Sequence, residues 1–372
     1  MTGIILQFGT SRFLQAHADF FLHEAKQAGQ HVLPVVIVQT SGSAERAGRL
    51  AAFTDPAGFP VIIRGLEDGH AVERTVAVKS VERGLSVAGN WAEVVNLFCE
   101  QAEFILSNTG DSGYDISAEA TGTELDVLSP RPSFPGKLAQ LLHARFGRTA
   151  KPIIILPCEL INGNGPVLKG IIRDLVQKSG ADAAFLAWLE EKVVFANTLV
   201  DRIVSEPIEP VGAVAEPYAL WAIERSPGLN LPCTHPSIVL TDKLEPFERL
   251  KLHILNLGHT TLADIWLKEG RPKGETVKAI LADPAVRARL DAVYRDEVVP
   301  GFAARGMGEE AKAYVETTMG RFLNPYLEHR IADIAGNHEL KIERRIKAFL
   351  DWAGTPAPTL EAIVHTTDRK TA

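Results

Sequence analysis

The sequence predicts two parts: an α/β N-terminal domain built on a parallel-rich sheet, and a mostly α-helical C-terminal domain. Three observations carry this. The 372-residue chain is longer than one core usually holds. Its first half alternates short apolar runs with amphipathic stretches, the pattern of parallel strands joined by helices. From Glu245 to about residue 366 nearly everything has helical period, broken by Gly or Pro at 270–274, 284, 300–308 and 354–358. The boundaries expected are 1–205 for the α/β domain, 206–240 for a linker and 241–372 for the helical domain.

Taken in order, "IILQFG" (4–9) is a strand and 12–28 a helix. "LPVVIVQ" (33–39) is a second strand, followed by a helical stretch at 43–54. "FPVIIRG" (59–65) and "AVERTVAVKSV" (71–81) flank "EDG" as a hairpin. "NWAEVVNLFCEQ" (90–101) is a helix with Asn90 as its N-cap. "EFILSNTG" (103–110) and "KPIIILPCE" (151–159) are two more buried strands, with a helix near 135–147 between them. "VSEPIEPVGAVAEP" (204–217) is proline-rich and reads as the linker, and "SIVLT" (237–241) is one short strand. A cleft between the two domains is the default place for a ligand.

Composition narrows the function. A net charge of −7 argues against a nucleic-acid binder, which is usually basic. No apolar run approaches the roughly 18 residues that span a bilayer. The opening "MTGIILQFG" has no basic leader and enters a strand pattern at once, so no signal peptide is expected. Cys99, Cys158 and Cys233 are scattered and odd in number, which fits a reducing cytoplasm and thiols used as small buried hydrophobes. Cys233 and His235 are close, but no CxxC or HxxxH spacing completes a zinc site, so no metal is expected.

The first strand ends at "QFGTSRFLQAH" (7–17), a reversal that opens a helix. That is where a Rossmann domain holds a dinucleotide pyrophosphate. Of the GxGxxG fingerprint only Gly9 fits; Ser11 and Leu14 take the other two positions. A plain strand-to-helix turn and a phosphate loop both remain open, with Ser11 small enough for backbone N–H groups to approach a phosphate and Arg12 adding charge. The second strand ends in Gln39 where NAD-binding domains usually carry an acid, and Ser41, Ser43 and Arg46 follow. NAD and NADP therefore both stand as cofactors.

"ERLKLHILNLGH" (248–259) places Glu248, Lys251, Asn256 and His259 among leucines. At 100° per residue the four fall within about 140° of arc, interleaved with Leu252, Leu255 and Leu262. Only Arg249, His253 and Thr260 form a polar strip, so the helix is expected to be largely buried, with the four polar groups away from solvent. Burying unpaired charge costs several kcal/mol unless something offsets it. One reading is a buried Glu248–Lys251 salt bridge with His259 bonded to a carbonyl. The other is a catalytic set. A lysine with an ordinary pKa of about 10.4 becomes an acid/base at neutral pH when burial lowers it. Lys251 would exchange a proton with a secondary alcohol or its ketone, Asn256 and His259 would bond the oxygen that gains charge, and Glu248 would relay the proton.

The pattern E-x-x-K-L-x-x-x-N-x-G-H, behind a strand-first dinucleotide half, resembles the mannitol dehydrogenase family of polyol-specific long-chain dehydrogenases and reductases. "ILQFGTSRFLQA" is similar to its cofactor loop, and "FANTLVDRIV" (195–204) to its N-x-x-V-D-R-I signature. "GRFLNP" (320–325) resembles its R-F-x-N-P segment. "FILSNTGDSGY" (104–114), "SFPGKL" (133–138) and "LPCELINGNG" (156–165) resemble its tagaturonate and fructuronate reductase branch most. The resemblance implies that Lys251 is the general acid/base, that Asn256 and His259 contact the reacting oxygen, and that Glu248 lies in a proton path. It implies that the Gly9, Ser11, Arg12 and Phe13 loop binds the cofactor, that Asn108 and Thr109 hold its ribose rather than serving as plain strand-end turn residues, and that Asn197 and Asp201 stand at its nicotinamide end; Gln39 and Thr40, at the end of the second strand, are expected cofactor contacts from their position. Arg321, in the R-F-x-N-P match, would bind the substrate, and His329 is a further substrate candidate. Two roles stand for Arg321: pairing with a uronate carboxylate, which a guanidinium fork suits, or bonding helix ends as a structural residue. Leu160 replaces an asparagine of the mannitol branch, and the chain is nearer in length to mannitol-1-phosphate dehydrogenases than to uronate reductases.

The expected protein is thus a cytoplasmic NAD(P)-dependent oxidoreductase, a monomer or small homo-oligomer, interconverting a keto-sugar acid and its aldonate. A sugar-alcohol phosphate or polyol is the alternative substrate, with Arg321, His329 and Arg330 as candidate phosphate ligands. A non-catalytic nucleotide or sugar sensor is the alternative of another class.

Overall fold

The computed structural model describes residues 3–40, 48–67, 69–110, 113–116 and 124–371, the last five by backbone only. Ser41, Ser43 and Arg46 lie outside the described residues. The chain divides into two units: Met1–Ile63 with Arg74–Leu244, and Arg64–Glu73 with Glu245–Ala372.

In the first unit, β1 (Ile4–Phe8), β2 (Val35–Gln39), β5 (Val81–Ser86), β6 (Ala102–Ser107), β7 (Ile153–Pro157) and β8 (Val193–Phe195) form one sheet, in the order β5-β2-β1-β6-β7-β8. All five pairings are parallel. Counted along the chain, that is the 3-2-1-4-5-6 order of a Rossmann fold. Strand alternation divides the core. Ile4, Leu6 and Phe8 pack into one apolar cluster and Ile5 into another, so both faces of β1 are covered. Helices Val87–Glu100, Phe134–Arg148 and Asn164–Lys178 supply the first cluster; Ala18–Gln27 supplies the second.

Four local expectations change. The helix expected over 12–28 is two, Arg12–Gln15 and Ala18–Gln27, because the chain turns at Ala16 and His17. The helix expected to start at Asn90 starts at Val87 and is capped by Ser86, whose hydroxyl accepts from Ala88 N (3.3 Å). Asn90 instead sits at a kink (φ −122°, ψ 21°) and its side chain accepts from Ser86 N. The hairpin is β3 (Phe59–Glu67) and β4 (His70–Val78), and Val81 already belongs to the main sheet. Residues 206–240, expected as a linker, carry strands. β10 (Val204–Pro207) and β11 (Ala213–Ala215) complete a sheet of order β10-β11-β3-β4, and β12 (Leu220–Glu224) pairs with β9 (Thr198–Asp201) and β13 (Ile238–Thr241). Pro207 is tolerated because β10 is an edge strand.

The second unit is helical around its own apolar cluster, which includes Ile254, Leu262, Tyr294, Phe302, Ile346 and Phe349. Among the described residues no helix is long and apolar enough to cross a membrane.

Candidate active site

In the first unit, β1 stands between β2 and β6, where crossovers leave in opposite directions. Ligands bind at such a switch point, beyond the carboxyl ends of the strands. A cavity of about 350 Å³ opens there, lined by Gly9–Arg12 after β1, Gln39 and Thr40 at the end of β2, Asn108–Gly110 after β6, and Arg49. Gly9 has φ +119°, and a Cβ on it would lie 2.6 Å from the Asn108 carbonyl oxygen. Both the turn and the approach of the neighbouring strand end require glycine.

Most side chains named from the cofactor loop also have structural work. The Ser11 hydroxyl caps the following helix by accepting from Leu14 N (3.2 Å). Arg12 fastens the 209–212 segment through Glu209 Oε1 (2.8 Å), Pro210 O (3.0 Å) and Gly212 O (3.1 Å). Phe13 stacks on His17, with centroids 4.6 Å apart, and lies outside the cavity lining. Asn108 Nδ2 donates to Cys158 O (2.7 Å).

The strand ends are tied by Glu159, to which the "LPCELINGNG" motif by itself assigns no role. Its Oε1 accepts Thr109 N and Thr109 Oγ1 (3.1 Å each), and its Oε2 accepts Ser107 Oγ (3.0 Å) and Tyr114 OH (3.1 Å). The residue is 4% exposed. Burial raises its pKa, and the hydrogen bonds oppose that rise. Beside it, Asn164 Nδ2 reaches Pro157 O (3.2 Å), Glu159 O (3.2 Å) and Thr198 Oγ1 (3.1 Å), while its Oδ1 accepts Thr198 N (3.0 Å). In the N-x-x-V-D-R-I stretch, Asn197 donates to Glu224 Oε2 (2.8 Å) and Asp201 is buried at the end of β9. Neither lines the cavity. Arg202 clamps Ala16 O (2.7 Å) and Glu216 O (3.0 and 2.9 Å), and burial lowers its pKa to about 10.

In the second unit, helix Glu245–Leu250 runs into a π-helical stretch, Lys251–Asn256, and α-helix resumes over Leu257–Glu269. Leu257 N bonds Leu252 O across the wide turn. A π-turn rotates less per residue than an α-turn, so a 100° wheel loses phase past Lys251. This corrects two expectations. His253 and Thr260, assigned to the polar strip, are buried (2% and 0% exposed). His253 Nδ1–H donates to Arg345 O (3.2 Å) with its ring on Trp352, and the Thr260 hydroxyl donates to Asn256 O (2.9 Å). Nor is the helix buried throughout: Glu248, Lys251 and Asn256 are half-buried, and burial becomes continuous only from Leu257 to Ile265.

Gly258 explains the glycine of the N-x-G-H pattern. The Tyr294 hydroxyl donates to Ile254 O (2.9 Å), and a Cβ on Gly258 would lie 1.8 Å from that hydroxyl. The tyrosine thus satisfies a carbonyl of the wide turn only because residue 258 has no side chain.

His259 is buried, with its ring 4.4 Å from that of Phe322 and 4.9 Å from that of His329. Burial holds its pKa well below the usual value, and His329, Arg321, Arg345 and Lys341 push it the same way. It is therefore a neutral imidazole at pH 7, able to exchange a hydrogen bond with an oxygen. Arg321 is buried at the end of helix Gly308–Phe322. His329 is half-buried, and burial lowers its pKa too. Arg345 and Lys341 were not among the sequence candidates: charged residues on a helix far along the chain carry no local signal of what they approach.

Two family models match, the mannitol dehydrogenase Rossmann domain over residues 3–232 and the mannitol dehydrogenase C-terminal domain over residues 243–353. The chain belongs to the mannitol dehydrogenase family. It is accordingly a dehydrogenase acting on a secondary alcohol. An altronate oxidoreductase of Bacillus subtilis is 30% identical over 369 residues, covering 92% of this chain and 73% of that protein. In fold the chain is similar to a D-sorbitol dehydrogenase solved in substrate-free form (TM-score 0.80, 18% identity, 94% of this chain and 76% of that one). It is also similar to mannitol 2-dehydrogenase of Pseudomonas fluorescens, solved as a ternary complex with NAD and D-mannitol (TM-score 0.71, 17% identity, 99% and 79%).

Proposed function

We propose that this protein reduces the keto group of a hexuronate such as tagaturonate or fructuronate with NADH, and oxidises the corresponding aldonate in reverse. The observation that carries the reading is the buried His259, one turn beyond the Lys251–Asn256 π-stretch and next in sequence to Thr260, whose hydroxyl accepts from Arg345 Nη1 (3.2 Å), with the charges of Arg321, Arg345 and Lys341 acting on it. That surrounding suits an anionic sugar better than a neutral polyol. The altronate oxidoreductase relative supports an acidic sugar.

NAD fits the first unit. The polar cavity lies at the switch point of a 3-2-1-4-5-6 sheet, with glycine where the first turn needs it. Gly9, Thr10, Ser11 and Arg12 would hold the pyrophosphate side. Gln39 and Thr40 would hold one ribose, Asn108 and Thr109 the other, and Asn197 and Asp201 would stand at the nicotinamide end. The cofactor supplies the hydride. The protein supplies the proton: Lys251 gives one to the carbonyl oxygen as the carbon is reduced, and Glu248 returns one from solvent. Asn256 and His259 hold that oxygen, which stabilises the charge developing there. Arg321 and His329 contact the rest of the sugar.

A sugar-alcohol phosphate is the second reading, favoured by the same cations. The deciding experiment follows NADH and NADPH absorbance with tagaturonate, fructuronate, fructose and fructose 6-phosphate. Turnover of a uronate with NADH is expected. Turnover of fructose 6-phosphate alone would move the protein to the phosphate reading, and cofactor binding without turnover of any would point to a sensor.

A further inference from the structure

Two cations of the helical unit are held near each other with no acid. Arg345, in the π-helical stretch Ile342–Lys347, donates through Nη1 to the Thr260 hydroxyl (3.2 Å) and to Asn256 O (3.4 Å). Lys341, four residues earlier, donates to Ile334 O (2.6 Å). Among the described residues no carboxylate pairs with either one, and Arg345 Nε and Nη2 donate to no protein group. Several other cations of the unit are matched by carboxylates: Arg271 meets Glu269, Glu275 and Asp283, and Lys268 meets Asp264. Arg345 and Lys341 are half-buried, burial lowers the pKa of each, and Arg345 lowers that of Lys341 further.

Like charges gathered out of water without a counter-ion oppose folding. A protein tolerates such a deficit where a ligand completes it. The free edge of the guanidinium has the fork geometry that suits an oxyanion. Its other edge is anchored on Asn256 and Thr260, the residues that bracket the Leu257–His259 turn, which fixes its position relative to His259.

We propose that Arg345, with Lys341 beside it, forms the subsite that binds the anionic group of the substrate and so selects charged sugars over neutral ones. The proposal rests on the reading that Asn256 and His259 hold the reacting oxygen. A carboxylate and a phosphate share the required chemistry.

The test is calorimetric titration of the NAD-saturated protein with D-gluconate, mannitol 1-phosphate and D-mannitol, comparing wild type, Arg345→Leu, Arg345→Lys and Lys341→Met. An anion should bind wild type. Arg345→Leu should weaken it about 10–100-fold, the loss of a charged hydrogen-bond pair, and should weaken mannitol much less. Arg345→Lys should recover part of the loss. A stronger effect on mannitol 1-phosphate than on gluconate would assign the subsite to a phosphate. Equal weakening of the anions and mannitol, or unchanged anion affinity, would overturn the proposal. If Arg345→Leu does not fold, Lys341→Met, which forfeits one carbonyl bond, carries the same comparison. Binding is read without turnover, so a failed uronate assay leaves this result standing, while uronate turnover indifferent to Arg345→Leu rejects the subsite alone.

Discussion

The sheet-end cavity of the first unit and the π-turn of the second treat buried polar groups in opposite ways. At the sheet end two buried side chains are fully matched: Glu159 takes four donors, and Asn164 ties three strand-end groups together. At the π-turn a histidine is kept neutral, and Arg345 and Lys341 meet only carbonyls and a hydroxyl. The first arrangement makes a rigid frame in which backbone presents the ligand site. The second holds charge ready for a ligand. Which residues act on substrate follows less from how polar a site is than from whether its polar groups are already matched.

The largest effect expected is on the frame. Glu159→Ala leaves the buried hydroxyls of Ser107 and Tyr114 and the amide of Thr109 without their acceptor, and should cost about 3 kcal/mol of stability. Urea unfolding checks it, with NADH affinity falling in parallel because Asn108–Gly110 line the cavity. Unchanged stability would mean that the carboxylate does not organise the strand ends. A smaller effect is expected at the π-turn. Gly258→Ala should cost about 2 kcal/mol through overpacking against Tyr294, and Tyr294→Phe about 1 kcal/mol through one lost hydrogen bond. If Gly258→Ala regained its stability in the Tyr294→Phe background, the contact between them would be the cause.

The smallest expected effect separates the units by pH. In the second unit burial lowers the pKa of His253 to about 4, with His259 and His329 also lowered. These rings stay neutral in the fold but take protons when unfolded, so stability is lost as pH falls from about 6.5 towards 4. Each proton is worth at most about 1.4 kcal/mol per pH unit. Asp264, whose pKa is lowered, pulls the same way at lower pH. In the first unit His17, lowered to about 3 by burial, acts in the same sense. It is opposed by Asp19, raised to about 7 by burial, whose contribution is full below its ordinary pKa and is lost as pH rises through 7. The two nearly cancel between pH 4 and 6.5, and His23, lowered by burial, and Glu159, raised by it, likewise act in opposite senses. Peptide-resolved hydrogen exchange at pH 5 and 7, corrected for intrinsic rates, should show the second unit weakening first. Equal weakening would contradict these assignments.

Much of the frame was legible in the sequence. Apolar runs such as Ile4–Phe8 and Val35–Gln39 are buried on both faces and can only be central strands. The prolines of 206–240 signal a linker in the sequence, whereas Pro207 sits on an edge strand, where a missing N–H is tolerated. The Lys251 motif was visible from its residue types. Its geometry was not, because a π-turn leaves no mark in a pattern read at α-helical period. Ser11 and Arg12 suggest a phosphate contact in the sequence; the Ser11 cap on Leu14 N is local, whereas the Arg12 contacts depend on a segment 197 residues along the chain. Arg345 and Lys341 escaped because an unmatched charge is recognisable only once its neighbours are known.

The central claim is that Lys251 moves the proton while the hydride is transferred. Stopped-flow NADH oxidation by Lys251→Ala, saturated with NADH and with whichever uronate the wild type reduces, tests it most directly. A transfer step slower by about 10³-fold, within the range for a lost acid/base, together with an unchanged NADH dissociation constant, is the predicted result. A wild-type transfer rate in that variant would contradict the account.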